Sequence, residues 1–376
     1  MIVAHVSTFP QMKCGIAFYV SDLIDSLPML EHHKYALHYG INLTQDAVCH
    51  ADVSTPVNLK KLARAISQSK CDVVSLQHEF GIWGGVNGEF IVDFLDETIK
   101  PLISTLHTTF RNSSRPAVQS SILRRIVNQS AVSFVLTPQS RETLCDALSL
   151  SHDAVSVVPH GIPDIPFVPL TFANNRADKS ARSLKLCSIG FFRPDKGLEE
   201  TLRALSVLKS QGVAFQYVIA GSPQPQFMEQ QSYLRNLKRT ISELSLEDRV
   251  LLDIRFLNRS EQIQLIQDSH VGIFAYQTPY QSSSGTIPLV MAAGRPVICT
   301  PFEFALAKKL ELDDGVILAR DFGSAAIADA ISQFILTECD YGSRDPRLNR
   351  QTREWLWRTV GSAYNSAFYK AHAGQS

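Results

Sequence analysis

Net charge is missing from this sequence: 36 Lys+Arg stand against 36 Asp+Glu over 376 residues. A zero balance gives no support to general nucleic-acid binding, though it leaves room for a local basic patch. Long apolar runs are missing too, since no stretch approaches the roughly 20 apolar residues of a membrane span. The N-terminus, MIVAHVSTFP, has neither a basic leader nor a long apolar core, so no signal peptide is expected. Metal-ligand spacing is absent as well. The seven cysteines (Cys14, Cys49, Cys71, Cys145, Cys187, Cys299 and Cys339) form no C-x-x-C and no His/Cys cluster. Several lie in strand-like runs, such as Cys187 in LKLCSIG, and read as buried free thiols in a reducing, cytoplasmic setting. The dinucleotide signature G-x-G-x-x-G does not occur.

What is present is an alternation. The chain is 45% hydrophobic and 19% charged, and it is too long for one compact core, so two domains are expected. Short β-branched runs (IVAHV, DVVSL, PLISTL, VSFVL, VSVVP) alternate with helical patterns such as GIAFYVSDLIDSL, LKKLARAISQS and RETLCDALSL. Near-continuous apolar strands between helices imply a parallel sheet covered on both faces. The rhythm breaks after Gly161 in PDIPFVPLTFANNRADKSARS, which reads as a linker. It restarts with LKLCSIG, KGLEETLRALSVLKS, FQYVIAG, RVLLD, HVGIFAY, PVICT and GVILA. The expected fold is α/β, with two doubly wound Rossmann-like domains facing across a cleft. Their limits are placed at 1–165 and 184–345, with a linker over 166–183. A terminal helix within 346–376, rich in Trp355, Trp357, Tyr364 and Phe368, is expected to pack back across the junction.

In open α/β sheets ligands bind beyond the carboxyl ends of strands, so the residues just after strands are the candidates. After the first strand comes Gly15, which suits either close approach of a ligand or a tight turn. After DVVSL comes QHEFGIWGG, where His78, Glu79 and Phe80 fit substrate contact or a locally held loop. After PLISTL comes His107, placed to face the cleft. In GFFRPDKGLEETL, Arg193 and Lys196 suit a diphosphate clamp; a surface pair tied to Asp195 is the alternative. The turn Gln281, Ser282, Ser283, Ser284, Gly285 and Thr286 precedes the helix pattern IPLVMAAG, and suits a phosphate at a helix N-terminus or simple capping. Beside two cations from the same domain, the phosphate reading prevails.

Together these stretches resemble a GT-B glycosyltransferase, and within that group the retaining glycosyltransferase family 4 (glycosyl transferases group 1), over nearly the whole chain. CGIAFYV is similar to the family's glycine-rich N-terminal loop, HTT to its cleft histidine at His107, and VVPHGI to the strand closing the N-terminal domain. GFFRPDKGLEETLRAL is the most specific match, with Arg193 and Lys196 in the places of the phosphate-binding pair. VMAAGRPVICT resembles the helix and strand after the donor-binding turn. The family pattern E-G-F-G-L-P-x-L-E, followed by A-M-A-x-G-x-P-V, puts Gln281 and Leu289 where it has glutamates. Gln281 keeps hydrogen-bonding ability toward a sugar, whereas Leu289 cannot hold a ribose. The resemblance implies an acceptor-binding N-terminal domain and a donor-binding C-terminal one. It further implies retaining hexosyl transfer from a nucleoside-diphosphate sugar to a glycan or lipid-linked acceptor, with backbone contacts from Ser283 to Thr286. There is no D-x-D motif, and no metal or other cofactor is expected. The usual setting of the family is polysaccharide or glycolipid assembly, compatible with peripheral attachment at the inner face of a membrane. Rival readings are a glycoside phosphorylase, a sugar-nucleotide epimerase and a non-catalytic sugar-binding homologue.

Overall fold

The computed structural model describes residues 1–40, 44–109, 116–170, 183–223, 228–337 and 346–374. Most of the expected linker and Cys339 lie outside them. The chain divides into two compact units, Met1–Gly161 with Trp355–Ser376, and Ile162–Glu354. Residues 162–165, expected in the first domain, and 346–354, expected in the terminal helix, thus go with the second unit.

The first unit holds seven strands: β1 (Ile2–Ser7), β2 (Glu31–His38), β3 (Cys49–Asp52), β4 (Val73–His78), β5 (Leu102–Leu106), β6 (Ser130–Val135) and β7 (Ser156–Val157). All pairings are parallel, in the order β3-β2-β1-β4-β5-β6-β7. Chain direction across the sheet reverses between β1 and β4, which makes their carboxyl ends the switch point of this unit. The helices are α1 (Gly15–Asp25), α2 (Pro56–Gln68), α3 (Ile91–Glu97), α4 (Ala117–Gln129) and α5 (Pro138–Leu148). Leu59, Leu62 and Ile66 of α2, Phe94 of α3 and Ile122 and Ile126 of α4 cover one sheet face, against Leu76 and Leu106. Local signals set the ends: Thr137 caps α5 by accepting from the Ser140 N–H at 3.0 Å, and Pro138 follows it where no donor is needed.

Strands β2 and β3 were not legible as strands. In β2 the first half, EHHK, is polar and partly exposed, and only Tyr35 to His38 are buried. β3 reads CHAD and forms the sheet edge, so it lacks the apolar run of a central strand.

The second unit has six strands: β8 (Leu184–Ile189), β9 (Phe215–Ala220), β10 (Val250–Asp253), β11 (Val271–Phe274), β12 (Val297–Cys299) and β13 (Val316–Leu318). They are parallel in the order β10-β9-β8-β11-β12-β13, with the switch point between β8 and β11. Its helices are α6 (Leu198–Ser210), α7 (Met228–Glu243), α8 (Arg259–Gln267), α9 (Thr286–Ala292), α10 (Glu303–Glu311), α11 (Ser324–Thr337) and α12 (Arg347–Gln351). A capping box at Asn258 and Glu261 starts α8. The terminal segment is not the single helix its pattern suggests. The chain turns extended at Leu356 (ψ 140°) and begins α13 (Trp357–Ala373) there. That helix covers the other face of the first sheet: Trp357, Val360, Tyr364 and Phe368 join Tyr19 and Leu23 of α1 over Val3, Val73, Ile103 and Phe134.

Candidate functional site

In the first unit the residues singled out gather beyond β1, β4 and β5, which are adjacent. Gly15 is the first residue of α1, and a side chain there would meet no atom within 4 Å. Neither packing nor a left-handed backbone calls for glycine, so the tight-turn reading loses its basis. His78 ends β4, and its carbonyl accepts from the His107 N–H at 2.9 Å, which joins the two loops. Thr108, one residue on, donates to the Glu79 carboxylate. Phe80 starts a short 3₁₀ turn, stands edge-on to His78 with centroids 4.7 Å apart, and packs into the core.

Both histidines are uncharged. Burial alone pushes His78 down to about 3. Burial, then the nearby His160 and His78, push His107 down to about 3. His107 Nε2 lies 2.8 Å from Oε1 of Gln77, and the Tyr19 ring stands edge-on to it at 4.8 Å and 90°. Tyr19 is fixed in turn: its hydroxyl lies 2.9 Å from that of Tyr364 on α13, which lies 2.6 Å from Oγ1 of Thr105. A neutral imidazole suits binding of hydroxyl groups rather than release of a proton. Gln77, Tyr19 and Tyr364 escaped sequence reasoning. Gln77 lies one residue before a candidate, and only the parallel pairing of β4 with β5 aims it at His107.

In the second unit, two loops interlock at the switch point. The first runs from β8 through Arg193 and a 3₁₀ turn, Pro194–Lys196, to Gly197 and α6. The second runs from β11 through Tyr276 to Thr286, the start of α9. The Gln277 N–H donates to the Asp195 carbonyl at 2.8 Å. Gly197 has φ +62°, and a Cβ there would sit 1.8 Å from the Ala275 carbonyl oxygen, so only glycine lets the loops meet. Lys196 Nζ lies 3.8 Å from the centroid of the Tyr276 ring. These two side chains and Gly190, Ser188 and Phe274 line a small pocket at the ends of β8 and β11. Asp195 holds both cations: Arg193 Nε at 2.7 Å and Lys196 Nζ at 3.7 Å. An incoming diphosphate would compete with that carboxylate for them.

The serine-rich turn departs from the expectation in two respects. α9 spans seven residues, so its terminal partial charge is small. Its N-cap is Gly285, with no side chain capping at that position; Ser284 Oγ is 3.5 Å from the Ile287 N–H. Capping therefore accounts for little of the serine run. Gln281 folds back, its Nε2 donating to the Ser283 carbonyl at 2.8 Å. Ser282 and Ser284 are buried, and Ser283 is partly exposed. Gln281 and Pro279 also accept from the Phe304 and Glu303 N–H groups at the start of α10, both at 2.9 Å. Leu289 is 1% exposed inside α9. Among the described residues no group of three His, Cys, Asp or Glu is placed to hold a metal ion. No helix among them is long and apolar enough to cross a membrane.

Residues 48–164 match the model of Glycosyltransferase Family 4, and residues 172–355 match that of Glycosyl transferases group 1. No curated protein matches the chain. Solved structures resemble it along its length. HepE of Anabaena, in complex with UDP and glucose, is 14% identical with a TM-score of 0.73, covering 97% of this chain and 99% of that one. Sucrose-phosphate synthase from Thermosynechococcus elongatus is 15% identical with a TM-score of 0.75, covering 100% of both chains. A glycosyltransferase from Rickettsia africae is 16% identical with a TM-score of 0.72, covering 100% of this chain and 99% of that one. At such identities these likenesses speak to the fold, which is GT-B.

Proposed function

Because the chain belongs to the glycosyltransferases of family 4 and group 1, we propose that it moves a hexosyl group from a nucleoside-diphosphate sugar to a glycan or lipid-linked acceptor. In this reading the anomeric configuration is retained and no metal takes part. The second unit binds the donor and the first the acceptor. One observation carries the reading: Arg193, Lys196 and the turn from Gln281 to Thr286 are brought to the switch point of one sheet by interlocked loops. The structures of HepE with UDP and with UDP-glucose support a donor of this class.

Cleaving the bond between sugar and diphosphate leaves negative charge on the leaving group. Arg193 and Lys196, drawn from Asp195 by the bound diphosphate, already face that charge as it develops, where electrostatic stabilisation is most effective. Two fixed cations supply the counter-charge that other sites draw from a metal. Backbone N–H groups from Ser283 to Thr286 and the amide of Gln281 hold the sugar and phosphates. His107, Glu79 and Thr108 bind hydroxyls.

A second reading has one observation in its favour. Leu289 is buried where the family pattern has its ribose-holding glutamate, which suits a phosphorylase using free phosphate. A thermal-shift series with UDP, GDP, ADP, CMP and phosphate separates the two, since a ligand of the folded state raises the midpoint. Stabilisation by one nucleoside diphosphate, lost in Arg193→Ala, is the expected result. Stabilisation by phosphate alone would favour the phosphorylase, and none at all a non-catalytic homologue.

A further inference from the structure

The face of the first sheet beneath α1 and α13 is polar toward its carboxyl end. His5 and Ser7 of β1, Ser75 and Gln77 of β4, and Thr105 and His107 are all buried; along each strand they are two residues apart, as a shared face requires. Gln77 is the member of this group hydrogen-bonded to the His107 ring, with its side-chain oxygen 2.8 Å from Nε2. Its own backbone is held on both sides. It pairs with Thr105 in the β4–β5 ladder, and its carbonyl accepts from Trp83 Nε1 at 3.1 Å.

A carbonyl oxygen only accepts, so the imidazole nitrogen facing it carries the proton and the other keeps its lone pair. We infer that Gln77 is a positioning residue that holds His107 as the Nε2–H tautomer and leaves Nδ1 to accept a hydrogen bond from a substrate hydroxyl. The identity of that substrate rests on the sugar-transfer reading; the tautomer does not. Tyr19 stands edge-on to the ring and is itself tied to Tyr364, which fixes the plane of the imidazole. A stabilising role explains Gln77 poorly. Its Nε2 is buried with no hydrogen-bond partner, and a half-satisfied amide in a core costs more than an apolar side chain of the same shape. An amide turned end for end would place a donor on the ring and force the opposite tautomer, an arrangement that ring-nitrogen signals distinguish.

The test is 15N NMR of histidine-labelled protein between about pH 5 and 8, the range in which an ordinary imidazole titrates. The His107 signal is identified by its loss in His107→Asn. Wild type should show a protonated Nε2 and an unprotonated Nδ1 throughout. Gln77→Met should populate the other tautomer and keep or raise the melting midpoint. It should also lower kcat for sugar transfer about tenfold or more, with the donor KM little changed. Gln77→Glu, whose carboxylate also accepts, should restore the tautomer. An Nδ1–H ring in wild type, an unchanged tautomer in Gln77→Met, or a changed tautomer with unchanged kcat would each overturn the assignment. If wild type shows no donor-dependent turnover, the sugar-transfer reading fails, and the ring-nitrogen signals still decide the role of Gln77.

Discussion

Two buried imidazoles, His78 and His107, tie the stability of the first unit to pH. Their folded pKa of about 3 lies below the ordinary value of 6.5. The unfolded chain therefore binds more protons between these limits, and stability falls as pH drops through that window. The slope reaches about 1.4 kcal/mol per pH unit for each imidazole. Urea unfolding at pH 7.5 and pH 5 should show the loss, and His78→Leu should diminish it. An equal loss in the variant would assign the effect to other groups. At the proposed donor site, Arg193→Ala and Lys196→Ala should each remove about 2–4 kcal/mol of transition-state stabilisation, read as kcat/KM. Asp195→Asn should tighten binding of a nucleoside diphosphate in calorimetry, because no ion pair then has to break. Weaker binding would mean that Asp195 orients the cations rather than competing for them.

Loops, more than helices, build the proposed donor site. Gly197→Ala combines a left-handed backbone with a Cβ 1.8 Å from a carbonyl oxygen. It should cost more than the roughly 1–3 kcal/mol of a strained residue alone, measurable as a lower unfolding midpoint, and should loosen the Tyr276 loop. Helix α9 is apolar on every side, with Ile287 to Ala292 all buried. Leu289→Glu places a carboxylate in that core, and an unpaired buried charge costs several kcal/mol. The variant should lose stability without gaining nucleotide affinity. Tighter nucleotide binding would show that the position still faces the ligand.

Over the whole molecule, the end of the chain completes the beginning. Trp357, Val360, Tyr364 and Phe368 are core residues of the first unit, although about 200 residues of second unit lie between. Burying four such side chains contributes roughly 1.5–3 kcal/mol each, comparable with the net stability of a domain, about 5–15 kcal/mol. A chain ended before Leu356 should therefore lose the cooperative unfolding of the first unit and keep that of the second. Calorimetry with limited proteolysis would read this; two intact transitions would show α13 to be dispensable.

The amino-acid sequence by itself determined the α/β class, the division into two units and eleven of the thirteen strands, because apolar runs between helical patterns leave few other ways to bury their surface. It also placed Arg193, Lys196, Glu79 and His107 after strands, where topology puts ligands, although β4 runs on through His78. Only tertiary structure decided the rest. β2 and β3 are strands because a neighbour pairs with them, not because their residues are apolar. Gly197 admits the Ala275 carbonyl, and Gln77 and Tyr19 meet His107, through contacts between segments far apart in the chain. Such pairings depend on strand register and on which face a side chain takes, and no local pattern encodes the partner.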